Sequence, residues 1–148
     1  MPIEPQNAPF FEGDISNVIV LDPGQQPTSI IHIGDAWKIR VKWNVKGLFA
    51  GTMTDNTTWH VSIVLESFGK GFEGEVAHDD VLGNSVPLVA LERTYEATLP
   101  AFPGGVPGNL IPGPYKMAAV LTLTDTMTGN PVPIAGYFEG QVMQFYKA

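Results

Sequence analysis

The chain has 148 residues, 44% hydrophobic and 16% charged, so it is long enough for one domain and too apolar for a disordered chain. It contains no cysteine, which excludes disulfides, thiolate metal sites and thiol nucleophiles. The net charge of −7 disfavours nucleic acid and anionic membrane surfaces as partners.

The N-terminal segment is rich in proline, which cannot donate to a central strand. We therefore predict a proline-rich arm over residues 1–14 and a single β-sandwich domain over residues 15–148. The first residues lack the basic start and apolar run of a secretory signal, and no stretch approaches the roughly 20 apolar residues of a membrane helix. We expect a cytoplasmic protein with no membrane insertion, although an export route that needs no signal would leave the same sequence.

Alternation of apolar and polar residues predicts strands in the first half of the chain. Ile15 to Leu21 and Ser29 to Ile33 form two short strands on either side of a turn at residues 22–24. The clearest alternation runs from Trp37 to Lys46, and a second follows from Trp59 to Glu66. These two strands are expected to carry much of the core.

The second half of the chain predicts further strands with weaker alternation. They cover Gly69 to Val76, Ser85 to Leu91, Arg93 to Leu99, Tyr115 to Thr124 and Ile134 to Tyr146. A turn is predicted at residues 125–130, and Gly136 and Gly140 indicate a bulge or a close backbone approach in the last strand. No helical periodicity and no internal repeat are present.

The two faces of the Trp37 strand differ in character. The tryptophans are in phase with Ile, Val and Leu, so we expect them in the core and not on a sugar-binding surface: Trp37, Trp43 and Trp59. The other face carries four basic residues, Lys38, Arg40, Lys42 and Lys46. We expect Glu96 of a neighbouring strand opposite Arg40 or Lys42, and a stripe for an anionic partner is the alternative.

The strand count, the positions of the tryptophans and Gly113-Pro114-Tyr115 at the start of a late strand resemble immunoglobulin-like and fibronectin type III-like sandwiches. The resemblance implies an all-β fold, an immunoglobulin-like antiparallel β-sandwich of seven to nine strands. It also implies that the Tyr115 hydroxyl closes a corner of the chain. The cysteine pair of antibody domains is absent, so the resemblance is to the fold only.

The sequence shows no catalytic constellation. A G-x-S-x-G elbow is absent, and Gly83-Asn84-Ser85 is not followed by a helical pattern. We therefore predict that the protein is not an enzyme and needs no cofactor.

An acidic segment is the weak candidate for a metal site: Glu73, Glu75, His78, Asp79 and Asp80. If this loop folded back on itself, its oxygens could hold calcium, but the spacing matches neither an EF-hand nor a zinc motif. A solvated acidic loop is favoured. His32 and His60 stand alone on predicted strands and are interpreted as structural or surface residues.

Apolar side chains in non-strand segments are the candidate interface. They lie in the arm, in the loop after Lys46 and in the proline-rich segment 100–114, as Phe10, Phe11, Phe49, Phe102, Val106, Leu110 and Ile111. The leading hypothesis is a protein-interaction or assembly module that self-associates or binds a protein partner. A lid over the protein's own sandwich is the structural alternative. The functional alternative is a carbohydrate or small-ligand site that uses Phe49, Phe102 and a late-strand aromatic.

Overall fold

The computed structural model describes residues 1–125 and 131–147. The alternating segments form strands β1 (Ile3–Glu4), β2 (Glu12–Leu21), β3 (Ile30–His32), β4 (Lys38–Lys46), β5 (Thr57–Ser67), β6 (Gly74–Leu82), β7 (Glu92–Pro100), β8 (Gly113–Asp125) and β9 (Pro131–Tyr146). A short 3₁₀ helix, Leu48–Thr52, follows β4. None of the described helices is long and apolar enough to cross a membrane.

Two sheets result from these strands. One has the order β2-β4-β7, and the other has the order β1-β9-β8-β5-β6, with β3 added beside β9. All neighbours are antiparallel except β3 and β9, which run parallel. The predicted all-β sandwich and its strand number are therefore confirmed.

The core lies between the sheets and is centred on three aromatic rings. Trp43 of β4 stacks on Tyr95 of β7, with ring centroids 5.2 Å apart and planes 14° apart. Trp59 of β5 approaches Trp43 from the other sheet at 6.1 Å. All three predicted core tryptophans are buried, which confirms their assignment.

Two of the four basic residues of β4, Lys42 and Lys46, lie opposite acidic residues of β7. Lys42 pairs with Glu96 in the register, as predicted, and Arg40 pairs with Thr98. Lys46 also lies 3.4 Å from Glu12 of β2. Acidic neighbours therefore offset Lys42 and Lys46, and such exposed pairs contribute at most about 1 kcal/mol each.

A corner closed by a tyrosine fixes the start of β8. The Tyr115 hydroxyl donates to the Ile111 carbonyl (2.9 Å) and accepts from the Ile111 amide (3.1 Å). Gly71 makes room for it, because a Cβ at this position would lie 2.1 Å from the hydroxyl oxygen. The corner implied by the resemblance is confirmed.

The N-terminal arm differs from the prediction. Ile3 pairs with Gly136 of β9, and β2 begins at Glu12, not at Ile15. A Cβ at Gly136 would lie 3.0 Å from Ile3 Cγ1, so this glycine provides the predicted close approach. Part of the arm therefore belongs to the sandwich, and its buried residues contribute to the core.

Two strand predictions in the middle of the chain were wrong. Residues 85–91 form turns, although their apolar residues suggested a strand. The strand expected at Gly69 to Val76 lies later, at Gly74–Leu82, because an edge strand with polar residues on both faces shows little alternation. A bulge in β9 near Gly140 is confirmed by the shifted register. The turn predicted at residues 125–130 lies, beyond residue 125, outside the described residues.

The Tyr115→Phe substitution tests the corner. We expect it to lower the free energy of unfolding by about 1 kcal/mol, because a partly buried carbonyl and amide lose their partner. Urea denaturation measures this change. Tyr137→Phe, at an exposed residue of β9, is the control and should stay within about 0.5 kcal/mol of the wild type. If the two variants were equally stable, the Tyr115 hydroxyl would contribute nothing to the stability of the protein.

Candidate functional site

The predicted interface residues lie at opposite ends of the sandwich. Phe10, Phe11 and Phe49 lie where β4 ends and β7 begins, whereas the segment from Phe102 to Ile111 follows the end of β7. The nine residues of β4 separate these ends by roughly 30 Å. The predicted interface residues therefore lie on two separate ends and do not form one continuous surface, a separation that sequence distance does not show.

Several of these residues also face inward. Phe11 and Leu110 belong to the core. Phe49 packs edge-on against Phe11 (5.9 Å), and Phe102 packs edge-on against Trp37 (6.1 Å). Since Phe49 and Phe102 lie at opposite ends, they form no common platform for a sugar ring. The exposed members of the predicted set are Phe10, Val106 and Ile111.

The end near Phe10 carries a cluster of exposed apolar side chains that the sequence did not reveal. This "apolar end" consists of Phe10, Leu48, Leu88, Val89 and Leu91, with exposures between 39% and 66%. They come from the arm, the 3₁₀ helix and the loop before β7. Exposed apolar patches of this kind commonly mark interaction sites.

Backbone hydrogen bonds join the arm to the segment after β4. The Leu48 amide donates to the Pro9 carbonyl (3.0 Å), and the Phe49 amide donates to the Phe10 carbonyl (2.8 Å). Gly47 has a φ of 113°, and a Cβ there would lie 2.6 Å from both of these carbonyl oxygens. The close approach of the two segments therefore requires glycine at this position.

The buried guanidinium of Arg93 joins the 3₁₀ helix after β4 to the loop before β7. Its Nε donates to the Ala50 carbonyl (2.9 Å), and its Nη1 donates to the Val86 carbonyl. The Gly47 amide donates to the Leu91 carbonyl (2.9 Å). The apolar end is therefore preorganised by contacts from β7.

The tip of this end is a strained two-residue turn. Val89 and Glu92 exchange backbone hydrogen bonds of 2.9 and 3.0 Å, and the two residues between them have positive φ: Ala90 (54°) and Leu91 (59°). Such turns ordinarily contain Asn-Gly, because a Cβ in the left-handed region costs about 1–2 kcal/mol. The turn places Leu91 at the surface, and backbone strain of this kind concentrates at functional sites.

The other end contains a shallow hollow of about 200 Å³. This "opposite hollow" is lined by Phe68, Lys70 and Ile111, among others. Phe68 and Ile111 are exposed, and the Phe68 amide reaches the Pro114 carbonyl. An apolar concave surface with an adjacent cation is thus present at this end.

A larger groove of about 510 Å³ runs beside β6. Phe72 and Phe102 line it, with ring centroids 5.4 Å apart, together with Glu75 and His78. The Phe102 amide donates to the Val76 carbonyl of β6 (2.8 Å), so the proline-rich loop is fixed against this strand.

The acidic segment is not a folded-back loop. Its residues from Glu75 to Asp80 belong to β6. His78 and Asp80 share one face of the strand, and Asp79 lies on the other face. The sequence also placed His60 alone, which is wrong: Asp80 lies opposite it in the register, and His60 Nδ1 is 2.6 Å from Asp80 Oδ1. His32 lies 3.5 Å from Asp35.

No protein-family model matches the chain, and no curated protein matches it. Among solved structures, the C-terminal domain of Wzt is 11% identical with a TM-score of 0.51, over 92% of this chain and 74% of that one. The match with a β-glucosidase from Listeria innocua in complex with glucose has 13% identity and a TM-score of 0.38, over 91% of this chain and 16% of that one.

The CooA pilin subunit from enterotoxigenic Escherichia coli is 11% identical with a TM-score of 0.37, over 88% of this chain and 97% of that one. At these identities the likeness concerns the fold alone. Together with the two sheets, it confirms the resemblance to an immunoglobulin-like sandwich at the level of the fold.

The Ala90→Gly substitution tests the strain at the tip. We expect the free energy of unfolding to rise by about 0.5–1 kcal/mol, because relief of the left-handed penalty exceeds the added chain entropy of glycine. Urea denaturation measures the change. Ala135→Gly, in the extended strand β9, is the matched control and should destabilise the protein by about 0.5–1 kcal/mol. Destabilisation by both substitutions would show that the turn carries no strain.

Proposed function

We propose that this chain is a non-catalytic interaction module that self-associates head to tail, with the apolar end of one copy seated in the opposite hollow of the next. The observation that carries the proposal is that apolar side chains are exposed at both ends of one sandwich. Ends roughly 30 Å apart cannot cover each other within one molecule. A contact with a second copy would cover the apolar end of one molecule and the opposite hollow of the other.

The charges near the two ends favour this mode over a symmetric contact. Among the described residues, three acidic ones, Glu12, Asp55 and Glu92, lie around the apolar end against one exposed base, Lys46, whereas Lys70 lies at the opposite hollow. A two-fold contact between apolar ends would bring like charges together, while a head-to-tail contact would place them near Lys70. Such contacts need not close and can extend into oligomers of several sizes.

The Val89→Ser substitution tests the apolar end. We expect it to weaken self-association by roughly tenfold, since about 1.4 kcal/mol of apolar burial is lost. Sedimentation velocity over a range of protein concentrations measures this. Val142→Ser on the outer face of β9, at 52% exposure against 66% for Val89, is the matched control and should associate like the wild type.

A mixing experiment separates head-to-tail from symmetric association. Phe68→Ser damages the opposite hollow and Val89→Ser the apolar end, so at a protein concentration near the wild-type dissociation constant each variant alone should be largely monomeric. An equal mixture should form dimers and nothing larger, because each variant keeps one intact end. If Phe68→Ser associates like the wild type, the contact is symmetric, and a wild type that is monomeric at all concentrations refutes the proposal.

Binding of a small ligand in the groove beside β6 is the second candidate. Its volume of about 510 Å³ lies within the usual range of ligand sites, and two aromatic rings line it. Because Phe102 packs on Trp37, binding should change the fluorescence of this tryptophan. Titration with a panel of monosaccharides tests this, with Phe72→Ala as the variant in which the response should disappear. An unchanged wild-type spectrum would rule out this class of ligand.

A further inference from the structure

Two histidines and one aspartate converge on the outer face of the six-stranded sheet, outside the apolar end and the opposite hollow. His60 of β5 lies directly opposite Asp80 of β6, and His78 precedes Asp80 on the same face. We propose that these three residues, the "His–Asp cluster", bind one divalent transition-metal ion of the Zn²⁺ type.

The ligand atoms already point to one place. His60 Nδ1 lies 2.6 Å and His78 Nε2 lies 3.2 Å from the same oxygen, Asp80 Oδ1. The three ligand atoms lie within 4.8 Å of one another. The ligands of a tetrahedral Zn²⁺ with bonds of 2.0–2.1 Å are roughly 3.4 Å apart. Side-chain rotations are sufficient to reach that spacing, because the three side chains are between 31% and 52% exposed.

The chemistry of the donor set selects the metal. Two imidazole nitrogens and a carboxylate are ligands that Zn²⁺ and its first-row neighbours accept, and a water fills the open position. Calcium takes about six to eight oxygen ligands. Asp80 is the one carboxylate of the cluster, so the calcium site considered from the sequence does not fit these residues.

Thr124 of β8 orients His60. Its hydroxyl oxygen lies 2.5 Å from His60 Nε2. A metal-bound histidine ordinarily donates its second ring N–H to such a partner, which fixes the tautomer and turns the other nitrogen towards the ion. In the metal-bound tautomer Nε2–H would donate to the Thr124 oxygen, which leaves the Nδ1 lone pair facing the cluster. Thr124 is thus a positioning residue for the site.

The nearby carboxylates are held by other groups. The Ser62 hydroxyl donates to Glu75 Oε2 (3.1 Å), and the Asp80 amide donates to Asp79 Oδ1 (2.9 Å). The rings of His60 and His78 lie nearly parallel, with planes 14° apart and centroids 6.1 Å apart. The two imidazoles therefore lie side by side on the face that also carries Asp80.

Calorimetric titration of the untagged protein with ZnCl₂ tests the site, and CoCl₂ provides a spectroscopic readout of coordination. We expect one ion per chain in the wild type. His78→Gln and Asp80→Asn should each lower the affinity at least tenfold, and Thr124→Val should lower it by about 10–100-fold while leaving the stoichiometry unchanged. Circular dichroism confirms that each variant is folded.

His32→Gln is the matched control. His32 forms a pair with Asp35 at the far end of the molecule but is not part of the His–Asp cluster. We expect this variant to bind like the wild type. Absence of a Co²⁺ spectrum in the wild type, or equal affinity in His78→Gln and the wild type, would overturn the proposal. Because the cluster lies outside both contact surfaces, this result is independent of self-association.

Discussion

Three aromatic rings in mutual contact join the two sheets at the centre of the sandwich. Trp43 and Tyr95 stack within one sheet, and Trp59 approaches both from the other. Burial raises the pKa of the Tyr95 hydroxyl, which therefore stays neutral and donates to the Gly83 carbonyl. Since Gly83 begins the loop that carries Leu91, the same ring that joins the sheets also anchors the apolar end.

The buried side chain of Arg93 positions the loop that ends in Leu91. Arg93 lies on the inward face of β7, whose other inward residues are buried in the core. Its guanidinium nevertheless satisfies carbonyls in two surface segments. A charged group that is buried for this purpose must be fully hydrogen-bonded, because an unpaired buried charge costs several kcal/mol. The position of the loop that ends in Leu91 is therefore fixed by polar contacts inside the molecule, and the side chains it presents outside are apolar.

The parts of the structure that could be predicted from sequence are those that depend on local periodicity. Alternation assigned Trp43 and Trp59 to the core, and Gly-Pro before Tyr115 indicated the corner. The His–Asp cluster could not be found this way. It depends on the register of β5 and β6, which a bulge shifts by one residue between Ile63 and Val64. A one-residue shift moves side chains to the opposite face, and sequence spacing does not determine it.

The position of β6 at the edge of its sheet has a consequence for solubility. An edge strand can add strands from other molecules, and charged side chains on it prevent this. β6 carries Glu75, Asp79 and Asp80, whose charges repel a second β6. A divalent cation bound at Asp80 would cancel part of that repulsion. Metal occupancy and resistance to fibril-like aggregation would then oppose each other in this protein.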